Sequence, residues 1–195
     1  MTTKHMRVLL VDEGSERATL LQTALRSAGY TVLVHVDTPE NLLARVLEVE
    51  PDVIIIDRDS PDRDTLEYVC AVTRDAPRPI VLFTHDNERA SIQAAVKAGV
   101  SAYVVGGVSA ERIRPIVDVA MARFEEFQIL KRELNQAKSN LAERKLIERA
   151  KGIVSKHRGV DEAEAYALLR KSAMDRNQRL AQVAENVIAM AELLA

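Results

Sequence analysis

The chain has 195 residues, 47% hydrophobic and 29% charged, a composition typical of a globular protein with one large or two small domains. Its single cysteine, Cys70, excludes a disulfide framework and a cysteine-rich zinc site. No run approaches the ~18 consecutive apolar residues of a membrane span, and the first residues lack the apolar core of a signal peptide. We therefore expect an intracellular, cytoplasmic protein with no membrane partner.

The net charge of −2 combines two unlike parts. Residues 1–127 carry 14 lysines and arginines against 20 acidic residues, whereas residues 128–195 carry 13 against 9. An acidic part followed by a basic part is typical of a control module joined to a module that binds a polyanion. Solvated helix surfaces would leave the same pattern, so charge alone does not decide.

Short apolar runs alternate with helical patterns in the first part of the chain. The runs are rich in β-branched residues and apolar at successive positions, as strands buried on both faces are. They cover residues 8–11, 31–36, 53–56, 80–83 and 102–105. Two of the helical stretches between them close at Gly29 and Gly99. The pattern predicts an α/β doubly wound fold, with a five-stranded parallel sheet and a site at the carboxyl ends of its strands.

A long helix is predicted next, because the only glycine between residues 109 and 157 is Gly152 and the only proline is Pro115. A seven-residue register continues through it, with Arg123 and Arg144 as interruptions. Its apolar positions are Ile113, Ile116, Ala120, Phe127, Leu130, Leu134, Ala137 and Leu141. The register predicts a coiled coil and therefore a homodimer. The alternative is a long helix that packs on its own domain.

The last part of the chain predicts three helices. The end of the long helix is followed by a break, where Gly159 suits a helix C-cap and Asp161 suits the next N-cap. The second helix runs from about 162 to 174, and the third follows a turn at 175–177. Together these helices form a small all-α module.

Three carboxylates follow predicted strands. Asp12 and Glu13 follow the first strand and Asp57 follows the third, which lies beside the first in a parallel sheet of this kind, so we expect the three to converge. Oxygen ligands of this type suit Mg²⁺, which can screen a phosphoryl group while the carboxylate of Asp57 attacks it. Thr84 could hydrogen-bond a phosphoryl oxygen, and Tyr103 could move with it. Acids at strand ends are also common turn formers.

These residues resemble the receiver domain of two-component response regulators. The motifs are LLVDE, DVIIIDRDSP with Asp57, Thr84, and AGVSAYVV with its aromatic residue, over residues ~6–123. The resemblance implies Mg²⁺ as a cofactor, Asp57 as phosphoacceptor, and Thr84 and Tyr103 as switch residues. Where receivers carry Lys-Pro three residues after the aromatic, this chain has Gly106-Gly107. The departure implies that phosphorylation is either weakly sensed or, if Asp57 is vestigial, not used.

The tail resembles an ANTAR domain, the output module of the AmiR and NasR antitermination regulators. The motifs are AKGI, AYALLR, AM and LAQVA. The order of modules is similar to that of the nitrate-responsive antiterminators, with a receiver over 1–123, a coiled-coil helix over 109–144 and an ANTAR domain over 145–195. This implies leader RNA hairpins and, indirectly, the RNA polymerase elongation complex as partners. It also implies nitrate or nitrite assimilation genes as targets, and a nitrate-binding sensor protein or a histidine kinase as the controlling partner.

Unpaired RNA loops are recognised by stacking on aromatic or arginine planes and by cations on phosphates. We expect Tyr166 and Arg170 near the bases, although Tyr166 could instead cap the helical core. The residues expected to contact RNA are Lys151, Lys156, His157, Arg158, Tyr166, Arg170, Lys171, Arg176, Asn177 and Arg179.

Two other functions compete with antitermination. A DNA-binding response regulator needs a basic recognition helix, but the last helix has Glu185 and Glu192 and no lysine or arginine beyond Arg179. An enzyme is not indicated, because the sequence has no glycine-rich phosphate loop, no Ser-His-Asp pattern and no metal cluster beyond the acids described above.

Overall fold

The computed structural model describes residues 6–12, 16–36, 41–106 and 110–193. The chain divides into two compact units, Met1–Gln128 and Ile129–Ala195. No helix in the described part of the chain is long and apolar enough to cross a membrane.

The first unit is the predicted α/β fold. All five strands are parallel and follow the order β2-β1-β3-β4-β5. The elements are β1 (Arg7–Asp12), α1 (Glu16–Ser27), β2 (Thr31–Val36), α2 (Leu42–Val49), β3 (Val53–Asp57), α3 (Arg63–Asp75), β4 (Ile80–Thr84), α4 (Arg89–Ala98), β5 (Ala102–Val105) and the start of α5 (Ala110–Arg158). The predicted fold class and strand positions are confirmed.

Alternate residues of the strands face two separate apolar cores. Leu9 and Val11 of β1 pack with residues of α2, α3 and α4. Val8 and Leu10 of the same strand pack on the other side with α1 and α5. Since both faces of the sheet are covered, the strands are apolar at nearly every position, which is why their runs stand out in the sequence.

The start of α5 belongs to the second of these cores. Ile113 and Ala120 are fully buried there, and Ile116 packs against the same cluster. The predicted dimer register is therefore wrong at these three positions, because this unit's own sheet already covers them. The later positions Phe127, Leu130, Leu134 and Leu141 are exposed.

The second unit holds the end of α5, then α6 (Glu162–Asp175) and α7 (Leu180–Leu193), around a small core that includes Ala150, Leu169 and Ile188. The predicted caps are confirmed. Gly159 has φ 66° and its N–H donates to the carbonyl of Ser155, which ends α5. The carboxylate of Asp161 accepts from the N–H of Glu164 at 2.7 Å, which starts α6.

Candidate functional site

Two of the three predicted acidic residues meet at the carboxyl edge of the sheet. Asp12 ends β1, Asp57 ends β3, and the two are paired in register on neighbouring parallel strands. Both are almost fully buried, at 2% and 4% exposure. Glu13, the third predicted ligand, lies outside the described residues.

The donor set at this edge fits a hard divalent cation. Asp12 and Asp57 supply carboxylate oxygens, the ligand type that Mg²⁺ prefers, and a cation would offset two like charges on adjacent strands. Among the residues that the structure describes, no group of three His, Cys, Asp or Glu side chains is close enough to hold a metal by itself. An ion at this site would therefore need further oxygen ligands, of which water is one source.

Thr84 is held by the loop that follows β3 and by the loop that follows its own strand. Its buried hydroxyl donates to the carbonyl of Asp59 at 2.7 Å and accepts from the N–H of Asp86 at 3.1 Å. The phenol of Tyr103 donates to the carbonyl of Asp86 at 3.0 Å. The structure therefore brings the two predicted switch residues together through the backbone of Asp86.

The side chain of Asp86 strengthens this link. Its carboxylate accepts from the hydroxyl of Ser60 at 3.1 Å and from the N–H of Glu88 at 2.8 Å. Hydrogen bonds from Ser91, Glu88 and Ser60 hold the pKa of Asp86 below its usual value. Burial and the nearby carboxylate of Asp86 raise the pKa of the Tyr103 phenol, so that it remains a proton donor. Asp86 is not among the residues predicted from the sequence, although its position two residues beyond the end of β4 was a usable signal.

Gly106 lies beside Thr84, at the position where receivers carry their lysine. Its N–H donates to the carbonyl of Thr84 at 3.0 Å. Its φ of 96° is one that side-chain-bearing residues rarely adopt, and a Cβ placed there would meet nothing within 4 Å. The backbone itself therefore favours glycine at this position.

In the second unit, the residues predicted to contact RNA fall into separate groups. The ammonium of Lys151 forms two ion pairs within this unit, at 2.9 Å with Glu148 and at 3.3 Å with Glu162 at the start of α6. These hydrogen bonds raise its pKa. Asn177 has φ 51° in the turn after α6, where its short side chain tolerates the left-handed conformation. Both residues therefore contribute to the fold, and their predicted contacts with RNA stay predictions.

Another group of the residues predicted to contact RNA lines a groove of about 980 Å³. It lies between the end of α5, α6 and α7, and Lys156, His157, Arg158 and Arg176 are among its lining residues. Sequence reasoning missed the groove, because its apolar residues looked like ordinary core positions.

Tyr166 and Arg170 are exposed on the other flank of α6. Positions two residues apart on an α-helix point in nearly opposite directions. Leu168 and Ser172 line the groove, so Arg170, two residues from each of them, points away from it. Tyr166 lies nearly opposite Leu168 but only about 60° around the helix from Leu169, which also lines the groove, so its ring is on the neighbouring flank. With 41% exposure, the Tyr166 ring is accessible on the helix surface.

Family models match both units. The response regulator receiver domain matches residues 8–118, and the ANTAR domain matches residues 135–188. The transcriptional regulatory protein PdtaR of Mycobacterium tuberculosis is 30% identical over 182 residues, which cover 93% of this chain and 89% of PdtaR. The chain belongs to the ANTAR response regulator family. This is a family of regulators rather than enzymes, and receiver domains typically bind Mg²⁺ at their acidic site.

Two further similarities are narrower. The nitrate regulatory protein of Klebsiella oxytoca is 35% identical over 80 residues, which cover 41% of this chain and 20% of that protein. The crystal structure of a signal receiver domain of a modulated diguanylate cyclase from Desulfovibrio desulfuricans has a TM-score of 0.56 and 23% identity. The match covers 63% of this chain and 98% of that one, and it shows the receiver fold alone.

Proposed function

We propose that this ANTAR response regulator is an antiterminator that binds hairpins in leader RNA and prevents a terminator from forming. The observation that carries the proposal is the ANTAR match over residues 135–188, in a unit whose described surface exposes several of the predicted cations. ANTAR domains bind RNA, and arginine and lysine side chains are the groups that contact its phosphates. RNA polymerase is then affected indirectly, through the folding of the transcript.

We propose that hairpin loops are read on the flank of α6 that carries Tyr166 and Arg170. The two residues are one helical turn apart, so the ring and the guanidinium lie next to each other on the helix surface. Two small residues, Ala163 and Ala167, are also exposed and leave room for bases. Lys171 and Arg179 are exposed as well, and they supply charge for the phosphates.

A homodimer is the second part of the proposal. The exposed apolar side chains Phe127, Leu130, Leu134 and Leu141 of α5 follow the spacing of a coiled-coil seam, with Ala137 in the same register. An exposed apolar stripe of this kind gains stability when a second helix covers it. Pairing along the stripe would hold two ANTAR domains together, so that one dimer could engage two hairpins.

Control by a protein partner, without phosphorylation of Asp57, is the third part. Gly106 provides no cation for a phosphoryl group, and the Thr84 hydroxyl donates to the carbonyl of Asp59. The partner that we propose is a nitrate-binding sensor protein. The alternative is a histidine kinase, which would act through phosphorylation of Asp57. The partial similarity to a nitrate regulatory protein supports nitrate or nitrite assimilation genes as the targets.

The function is tested by a gel-shift comparison of a structured leader RNA with a DNA duplex of the same sequence. Hairpin-loop recognition predicts a complex with the RNA and little or none with the duplex at physiological salt. Preference for the duplex would instead support a DNA-binding response regulator. A transcription assay with and without the protein then measures read-through past the terminator, which an antiterminator increases.

A further inference from the structure

The groove between the end of α5, α6 and α7, which we call the α5–α7 groove, has neither Tyr166 nor Arg170 in its lining. Its volume of about 980 Å³ is large for a small helical unit and lies in the range of ligand-binding sites. Ile153, Leu168 and Val187 contribute apolar surface, and Met190 beside them is 60% exposed. The groove therefore presents apolar surface to solvent above the buried core of this unit.

The polar lining of the groove is cationic. Lys156, Arg158 and Arg176 are exposed there together with His157, and the lining contains no aspartate or glutamate. Within the described residues, no carboxylate lies within ion-pair distance of these three cations. By contrast, Arg149 pairs with Glu192 at 2.7 Å and Lys151 pairs with Glu148 and Glu162. The groove cations are thus available to an anion that also presents an apolar surface.

We propose that the α5–α7 groove takes an unpaired base of an RNA loop, with the adjacent phosphates on Arg158 and Arg176. This inference rests on the proposed function. An unpaired nucleotide combines a flat apolar face with a neighbouring anion, and protein sites for single-stranded RNA combine stacking surfaces with cations in the same way. The groove provides both, whereas Arg170 faces away from it and Tyr166 lies on the flank of α6 beside it. A loop that contacts both surfaces straddles this helix.

A second copy of the chain fits the groove less well. Two copies related by a two-fold axis present the same surface to each other. Lys156, His157, Arg158 and Arg176 would then be present on both sides of the interface, and the part of the chain from residue 128 onward has an excess of basic residues, 13 against 9. Like charges brought together in this way oppose association.

The test compares Arg176→Glu with the control Lys171→Glu. Both replace an exposed cation near the C-terminal end of α6 with the same acid, but only Arg176 lines the groove. The probe is a fluorescein-labelled stem-loop RNA, selected from a pool with randomised loops for binding to the full-length wild type. We expect Arg176→Glu to lower the affinity about tenfold more than Lys171→Glu does. Equal losses would overturn the proposal.

A second variant, Ser172→Trp, fills the groove without changing the charge. The same RNA is prepared with 2-aminopurine at each loop position in turn. We expect one position to change its fluorescence on binding wild-type protein, and Ser172→Trp to abolish that change while the circular dichroism of the variant stays that of wild type. A response that survives in Ser172→Trp would overturn the proposal.

Two further outcomes separate this inference from the proposed function. If Arg176→Glu reduces the dimer fraction in sedimentation while Lys171→Glu does not, the groove is an interface between copies and the inference is wrong. If the wild type selects no stem-loop from the pool, the proposed function fails and the inference fails with it. If wild-type binding is strong and all groove variants bind equally well, only the inference fails.

Discussion

Asp12 and Asp57 end neighbouring parallel strands and lie side by side in register, both almost fully buried at the carboxyl edge of the sheet. Adjacent strands in a sheet are about 4.8 Å apart, so the two carboxylates are close enough for like-charge repulsion. A bound divalent cation offsets that repulsion. The acidic edge therefore remains suited to a metal ion even though Gly106 stands where receivers have their lysine.

Magnesium should raise the melting temperature of the wild type, and Asp12→Asn should remove most of this increase. The reason is that Asp12 and Asp57 would hold the ion in the folded protein but not in the unfolded chain, so that binding adds to the stability of the folded state. The measurement is thermal unfolding of both proteins with and without millimolar Mg²⁺. Asp64→Asn, which removes an exposed acid in the first turn of α3, is the control and should keep the increase. An unchanged magnesium response in Asp12→Asn would exclude this site.

Asp57→Asn should leave antitermination in cells largely intact. Without a lysine at position 106, a charge-assisted contact of roughly 1.5–3 kcal/mol to a phosphoryl group is missing. Induction is measured with a reporter gene placed behind the terminator, together with the cellular level of the variant. Loss of induction in a variant that is folded and equally abundant would show that phosphorylation controls the protein.

Gly106→Ala should destabilise the first unit by about 1–2 kcal/mol, because φ of 96° disfavours any residue with a Cβ. Gly152→Ala is the matched control. A Cβ at either glycine meets nothing within 4 Å, but Gly152 lies inside α5, where alanine is favoured by roughly 0.5–1 kcal/mol. In urea denaturation, the free energy of unfolding should therefore fall in Gly106→Ala and rise in Gly152→Ala. A loss of the same size in both would contradict the conformational explanation.

Placing charges on the exposed stripe of α5, with Leu134→Lys and Leu141→Glu together, should lower the dimer fraction in analytical ultracentrifugation. Charged side chains that are buried in a helix–helix interface lose their hydration, which destabilises the dimer, whereas exposed charges keep it. Asn135→Lys with Ala142→Glu introduces the same charges one position further along, off the stripe, and should leave the dimer unchanged. If the Leu134 and Leu141 variant remains as dimeric as the control, the seam lies elsewhere.

Tyr166→Ala should weaken binding of a leader hairpin by roughly one order of magnitude or more, since stacking of one base contributes ~1–3 kcal/mol. Lys171→Ala should weaken binding of all RNAs alike and reduce the salt dependence by about one unit of slope or less. Both variants are titrated with the hairpin and a loop-scrambled control at two salt concentrations. Full loop discrimination in a folded, dimeric Tyr166→Ala would assign the ring to the helical core.

The pH dependence of stability tests the N-cap of α3, the helix that follows the strand of Asp57. The hydrogen bond from Thr65 to the N-cap residue Asp62 lowers the pKa of the Asp62 carboxyl in the folded protein. The stabilisation by the ionised carboxylate is therefore complete above the pKa that Asp62 has in the unfolded chain. It is lost as the pH falls through the lower pKa of the folded protein. Asp62→Ala should cost about 1 kcal/mol at neutral pH and less in acid. A pH-independent loss, measured by urea denaturation, would contradict the capping role.

Local patterns in the sequence were enough to predict much of this protein. Apolar runs such as residues 53–56 are the signature of strands covered on both faces, and Gly159 and Asp161 carry the conformations that end one helix and begin the next. The convergence of Asp12 and Asp57 also followed from the sequence, because parallel strands place their carboxyl ends at one edge. The strands and caps depend only on neighbouring residues, and the convergence depends on the strand order of doubly wound sheets, which places β3 beside β1.

The tertiary structure decided what covers each apolar face and which charges are already paired. The register of α5 is continuous in the sequence, yet Ile113 and Ala120 are buried against the sheet while Leu134 is exposed. Lys151 is a predicted phosphate contact, and only the packing of α6 shows that Glu162 lies 3.3 Å from its ammonium. The periodicity of a sequence indicates that a helix has an apolar or charged face. What packs against that face depends on how segments distant in the sequence come together, which no local pattern encodes.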